Sequence, residues 1–365
     1  MKRIVIALML VALASNVNFA AETEVGGTLY TTYMMNLSDG ADDANAFSVD
    51  RAYVNIKSKL SEHTTVKFTS DMRLQDNLYD IIIKYAFFDW QPAFARKAAT
   101  LRLGMQPTQY IEFMNELWGH RYVAKMALDE EKYLTTADLG GSIIAGLGQK
   151  AKYGSVIASV LNGTSYTEVE EANKQKDINL VAQFKPLADH DLYKRCALVA
   201  QVYMGTQNKT MGDTLIIEEI DAAHSDTTLV TVQSEDWKRQ LMSVGGLLAY
   251  RGTADIGFDL SFATLGRGPI ADEVKKSGMT VFGTLYFSEL VDSTSILRTI
   301  DLFGKLDLID PNTDKDDDGK TVIVAGVECS PVKGVKAAVN FRTTRFQNDD
   351  LASQEFIYLN TEIKF

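Results

Sequence analysis

The chain has 365 residues, with 48 acidic against 37 basic side chains and a formal net charge of −11. That balance argues against nucleic acid as a partner. Apolar residues are spread in short alternating runs with 25 glycines and only 6 prolines, an all-β composition, and past the N-terminus no run approaches the roughly 18 apolar residues of a membrane helix.

The N-terminus reads as a secretory signal peptide over residues 1–20, followed by one domain over 21–365. Lys2 and Arg3 form a basic region, Ile4 to Ala14 an apolar one, and Asn18-Phe19-Ala20 a cleavage site. The apolar run is too short for an anchor that spans a bilayer. Removal of the leader makes the charge two units more negative.

Sixteen alternating segments follow, at 24–34, 47–59, 64–74, 78–89, 98–106, 137–147, 150–161, 176–186, 192–204, 239–250, 254–264, 277–288, 295–308, 320–329, 334–344 and 354–365. Most have the length with which a tilted strand crosses a membrane. Connections after odd segments are mostly long, including 107–136 and the acidic stretch from Gly205 to Trp237, and those after even segments are mostly short. Transmembrane barrels alternate long external loops with short periplasmic turns in this way. The expected fold is an all-β, transmembrane antiparallel β-barrel of about sixteen strands.

The faces sort by period two. In SVDRAYVNIKSKL, Ala52, Val54 and Ile56 share one side, and Arg51, Tyr53, Asn55, Lys57 and Lys59 the other. Val66, Phe68 and Met72 oppose Lys67, Asp71 and Arg73. Ile256, Phe258, Leu260 and Phe262 oppose Asp255, Asp259 and Ser261. Val335, Ala337, Val339 and Phe341 oppose Lys336, Asn340 and Arg342. In a barrel the polar side is a wet lumen, which makes Arg51, Lys57, Lys59, Lys67, Arg73, Arg102 and Arg342 a candidate cationic wall. Neutralising Lys57, Lys59 and Lys67 together is expected to lower anion preference. Asp71, Asp80, Asp255, Asp259, Asp301, Asp307 and Glu328 fall at lumen positions too, so a wall of paired charges is the rival reading. Aromatics near strand ends (Tyr30, Tyr33, Phe87, Trp90, Tyr153, Tyr193, Tyr250, Phe287 and Phe346) suit a girdle at the lipid–water boundary.

The stretch PTQYIEFMNELWGHRYVAKMALDEEKYL forms the third external connection. Ile111, Met114, Leu117 and Trp118 have helical spacing, and such a face must be buried. Folding into the barrel mouth would set Glu112, Glu116, His120, Arg121 or Lys125 at a constriction. Packing on a neighbouring subunit is the alternative. In DPNTDKDDDGK, Asp314, Asp316 and Asp318 resemble the opening of a calcium loop, but the twelfth position is Ala325, and a solvated acidic loop competes. No cofactor is indicated. Cys196 and Cys329 lie in β segments far apart in order and read as small buried hydrophobes. The four histidines are scattered, and GxSxG, HExxH and P-loop spacings are missing, so nothing indicates an enzyme.

The final segment, QEFIYLNTEIKF, resembles the closing strand of outer-membrane porins. Phe365, Ile363, Leu359 and Ile357 match its alternation; in that family the motif is the signal read by the barrel-assembly machinery. FSVDRAYVNIKSKLSEHTTVKFTSDM is similar to the first hairpin of the phosphate-selective porins, LRLGMQPTQYIEF to the segment leading into their third loop, and TADLGGSIIAGLGQKAKYGSVIASVLNG to their central hairpin. The resemblance covers about the first half of the chain and the last strand. It implies a sixteen-strand barrel in outer-membrane lipid, a homotrimer, and a third loop partly folded into the pore. The lumenal carboxylates depart from that family's rows of arginine and lysine. Three functional readings stand: a porin passing small hydrophilic solutes or ions, anions such as phosphate among them; a barrel whose external loops bind a surface ligand; and an exported glycan-binding β-sandwich.

Overall fold

The computed structural model describes residues 22–365 apart from 39, 41–43, 76–77, 96–97, 169, 210–211, 222–223, 270 and 293–294. The leader expected over 1–20 lies outside the described residues. The strands are β1 (Glu22–Asn36), β2 (Asn45–Lys59), β3 (Thr64–Gln75), β4 (Leu78–Trp90), β5 (Ala99–Pro107), β6 (Ala137–Gly146), β7 (Gly154–Leu161), β8 (Asp177–Phe184), β9 (Ala197–Thr206), β10 (Gly212–Asp221), β11 (His224–Val232), β12 (Lys238–Tyr250), β13 (Ala254–Leu265), β14 (Val274–Tyr286), β15 (Ile300–Asp310), β16 (Lys320–Val332), β17 (Val335–Phe346) and β18 (Gln354–Lys364).

Sixteen of these close into one antiparallel barrel, in which neighbours in sequence are neighbours in space, β12 follows β9, and β18 returns to β1. Each of the sixteen alternating segments is a barrel strand. β7, β9 and β15 begin later than alternation suggests, because 149–151, 191–195 and 296–299 form turns. One expectation needs correction. The acidic stretch from Gly205 to Trp237 is not loop throughout: β10 and β11 pair in it as a separate two-stranded hairpin.

The closing seam runs from Thr28 opposite Lys364 to Asn36 opposite Phe356. Gly27 and Phe365 exchange backbone bonds of 2.8 and 3.2 Å, while the Phe365 ring is 81% exposed on the outer side. The outward rows carry exposed apolar residues around the circumference, among them Ile81, Leu103, Ile143, Val202, Leu248, Phe262, Leu306 and Val339. Burial in a sandwich core would remove such rows from solvent. Here they form the outer belt of a closed cylinder, the arrangement of a multi-pass β-barrel in the bacterial outer membrane.

Parity also corrects the girdle. Tyr33 points outward and stacks on Phe47 at 4.6 Å. Trp90 and Tyr250 are exposed on the belt, and Tyr193 lies 5.6 Å from Tyr250. Tyr30, Phe87 and Phe346 instead face the interior, since they pair with inward Glu362, Lys67 and Lys320. The cysteines are free, Cys196 buried and Cys329 half-buried.

A charge on the belt has no counterpart in lipid. Val244→Arg, in the middle of β12 and 41% exposed outward, is expected to lower folding stability in a bilayer by about 2–4 kcal/mol. Urea titration of heat-modifiable gel migration measures it.

Candidate functional site

The third connection, 108–136, lies inside the barrel. Its helix α1 (Gln109–Trp118) ends on Gly119, whose left-handed φ of 73° lets its N–H bond Asn115 O at 3.0 Å. A short helix α2 (Ala127–Glu130) follows. The neck is tied where Thr108 N–H bonds Thr136 O at 3.0 Å and Thr108 Oγ1 donates to Thr135 O at 2.6 Å.

Tyr110, Ile111, Met114 and Trp118 share one buried face of α1, with Leu117 partly buried beside them. They meet a lumenal wall that is apolar over one sector: Ile157, Val181, Val199, Leu241, Phe282, Phe303 and Val324. Trp118 packs edge-on to Phe282 at 5.4 Å and to Phe303 at 6.1 Å. Each large side chain so buried contributes roughly 1.5–3 kcal/mol. A polar lumen throughout, as alternation suggests, is therefore corrected: this part of the interior is a core shared by wall and loop. Gly245 allows the close approach, for a Cβ there would lie 2.6 Å from Met114 Sδ and 2.9 Å from Phe258 O.

Polar anchors surround that core. Tyr110 O–H donates to Asp259 at 2.6 Å, Tyr122 O–H to Glu328 at 2.7 Å, and Tyr133 O–H to Ser277 O at 3.0 Å. Lys305 Nζ reaches Lys125 O at 2.7 Å, and Arg342 reaches Val123 O at 2.6 Å. The two wall cations thus hold loop carbonyls. His120 is buried between Trp118 O, 3.0 Å from Nδ1, and Glu328, 3.4 Å from Nε2. Burial pulls this imidazole below its ordinary value, and the Glu328 carboxylate offsets only part of the shift.

The other face of α1 looks across the open sector toward β1–β5. Glu112 accepts a bond from Tyr85 O–H, and Glu116 is exposed. Arg121 bonds Asp129 at 2.9 Å and reaches Tyr53 O–H at 3.5 Å; Lys125 pairs with Glu130 at 3.1 Å. A space of about 760 Å³ lies on the periplasmic side, bordered by Lys57, Lys67 and Arg102. A space of about 590 Å³ lies on the external side, bordered by Arg51, Arg73 and Arg342. Tyr30 and Arg121 border both, so the two spaces adjoin at these side chains.

The seven candidate wall cations differ in their partners. Arg51 is paired with buried Asp71 at 2.7 Å, and Arg102 grips Asp89 with two bonds of 2.7 and 2.9 Å. Lys57 is 3.8 Å from exposed Glu24 and opposite Lys67 in register. Lys59 is exposed at the periplasmic rim. Arg73 has no carboxylate partner among the described residues, and its Nε is buried without a hydrogen bond. Two further cations escape the sequence reading. Lys132 sits at the external space. Lys84 is turned inward by a bulge opposite Thr69 and Ser70, so that it and Tyr85 both face the lumen. Around Asp314, Asp316 and Asp318, as elsewhere among the described residues, no three potential metal ligands converge, and Asp314 faces Lys275 at 3.6 Å.

No family model matches the sequence, and no curated protein matches it in sequence. Solved structures do match. A loop-deletion form of OmpT, an outer membrane protein of Vibrio cholerae, has a TM-score of 0.64 at 14% identity, over 95% of this chain and 100% of that one. The outer membrane channel DcaP of Acinetobacter baumannii gives 0.61 at 11%, over 96% and 99%. An anion-selective porin from Comamonas acidovorans gives 0.58 at 11%, over 94% and 100%. At these identities the likeness is one of fold: the chain has the barrel of bacterial outer-membrane porins.

Two outcomes follow for the loop. Tyr110→Phe leaves the Asp259 carboxylate short of a donor and is expected to cost about 1–3 kcal/mol, read as a lower unfolding midpoint and faster protease cleavage within 108–136. His120, with its folded value depressed, favours the unfolded state as pH falls through the ordinary histidine range, about 6.5. Loop protection against protease is therefore expected to weaken below that pH in the native chain and to lose that step in His120→Gln.

Proposed function

We propose that the protein is a passive diffusion channel for small hydrophilic solutes, preferring anions, inorganic phosphate among them. One observation carries the preference. The external space above the loop is bordered by Arg51, Arg73, Arg121, Lys125, Lys132 and Arg342 against only Asp50 and Glu130, in a chain whose net charge is −11. Pairing removes Arg51, Arg121 and Lys125 from the balance. Arg73, Lys132 and Arg342 remain without a carboxylate among the described residues, and fixed charge of one sign in a low-dielectric passage biases which ions enter. The porin fold and the loop set inside the barrel support the channel reading. We further propose export by the leader and assembly as a homotrimer, a state that the outer-membrane porin resemblance implies.

The test is single-channel recording of the purified protein in a planar bilayer under a potassium chloride gradient. A reversal potential of anionic sign is expected, and a cationic sign would refute the preference. Arg73→Gln with Lys132→Gln should lower the anion-to-cation permeability ratio by about two- to threefold, whereas Lys59→Gln, at the exposed rim, should change it little.

A further inference from the structure

A water-filled barrel keeps its inward positions polar, yet the open sector carries a succession of inward aromatic rings, each group with a cation over a ring face. Outermost, Phe356 and Tyr358 lie 5.7 Å apart on β18, and the Arg342 guanidinium sits 4.8 Å from the Tyr358 ring. Where the external and periplasmic spaces adjoin, Tyr30 meets Tyr53 edge-on at 6.0 Å, with Lys84 Nζ 4.8 Å from the Tyr53 ring. On the periplasmic side Tyr85 and Phe87 are 6.4 Å apart, with Lys67 5.0 Å over Tyr85 and Arg102 4.1 Å over Phe87. Phe113, on the open face of α1, borders the same periplasmic space.

Four of these rings, Phe356, Tyr358, Tyr30 and Phe113, lie along one route. The external space that holds Phe356 shares Tyr358 and Arg342 with the next, and that one shares Tyr30 with the periplasmic space. Phe356, Tyr358, Tyr30 and Phe113 are half-buried, so part of each ring remains open to the passage, whereas Tyr85 and Phe87 are buried in the wall. An inorganic anion would use the cations and leave the rings idle. A neutral sugar would use the rings and leave the cations idle. A solute using both has a flat apolar body and a carboxylate, with the body lying against ring edges or faces and the charge on the adjacent guanidinium or ammonium.

We infer that the route is built for organic anions with a planar apolar face, arene carboxylates in chemical class, which move between successive ring-and-cation stations. This rests on the channel reading above and adds a substrate class to it.

The experiment measures reversal potentials of the purified full-length protein in planar bilayers, with chloride on one side and acetate, benzoate or cyclohexanecarboxylate on the other. In a plain aqueous pore benzoate, the bulkier ion, passes no better than its free mobility relative to acetate allows. The stations predict a benzoate-to-acetate permeability ratio about threefold above that mobility ratio, with cyclohexanecarboxylate below benzoate. Phe356→Leu and Phe113→Leu, which keep apolar bulk and remove the ring, should each bring the ratio toward the free-mobility value at unchanged chloride conductance. If a variant fails to conduct chloride, the native ratio alone decides. A native ratio equal to the mobility ratio, with chloride conductance intact, overturns the stations and leaves the channel reading standing. Absence of chloride conductance in the native protein overturns both.

Discussion

A bilayer offers no partner for a backbone N–H or C=O, and that constraint orders everything else in this chain. Sixteen strands satisfy one another only if the last returns to the first, which it does along the seam from Thr28–Lys364 to Asn36–Phe356. Closure fixes an inside and an outside, and the two-residue period then assigns every side chain to one or the other. The apolar rows that a soluble sheet would hide are turned to lipid here, and the charges stay with water.

The interior that results is not uniform. One sector, around β7–β9 and β12–β16, has Ile, Val, Leu and Phe pointing inward, and α1 covers it with Tyr110, Ile111, Met114 and Trp118. The loop is therefore a second core element rather than a flap. Its tyrosines and the wall's Lys305 and Arg342 satisfy the polar groups stranded at the edges of that core. What remains open is the other sector, β1–β5 with β17 and β18. There wall cations confront both loop carboxylates and aromatic rings. Packed core and open space are divided between two halves of one cylinder.

Much of this could be read from residue order. Alternation in stretches such as VDRAYVNIKSK located the strands, the alternation of long and short connections located their ends, and the helical spacing of Ile111, Met114 and Trp118 showed that the third connection had something to bury. What could not be read depends on register. Tyr30 and Phe87 sit near strand ends, as girdle residues do, and only the pairing with Glu362 and Lys67 shows that they face inward. Lys84 follows the wrong parity because a bulge inserts it, and no local signal announces a bulge. The β10–β11 hairpin has its pattern inside a stretch whose length and acidity suggest loop. Which arginines are neutralised was equally hidden, since the Arg51–Asp71 and Arg102–Asp89 pairs join residues on neighbouring strands.

The seat of α1 on the wall is a single missing methyl group, at Gly245, with Met114 and the Phe258 carbonyl already within 3 Å of where it would stand. Alanine there would crowd the Met114 thioether and the Phe258 carbonyl, so the Met114 side chain would have to turn aside. The fit of loop against wall would thereby change without altering any charge, ring or strand, by a substitution that needs one nucleotide change.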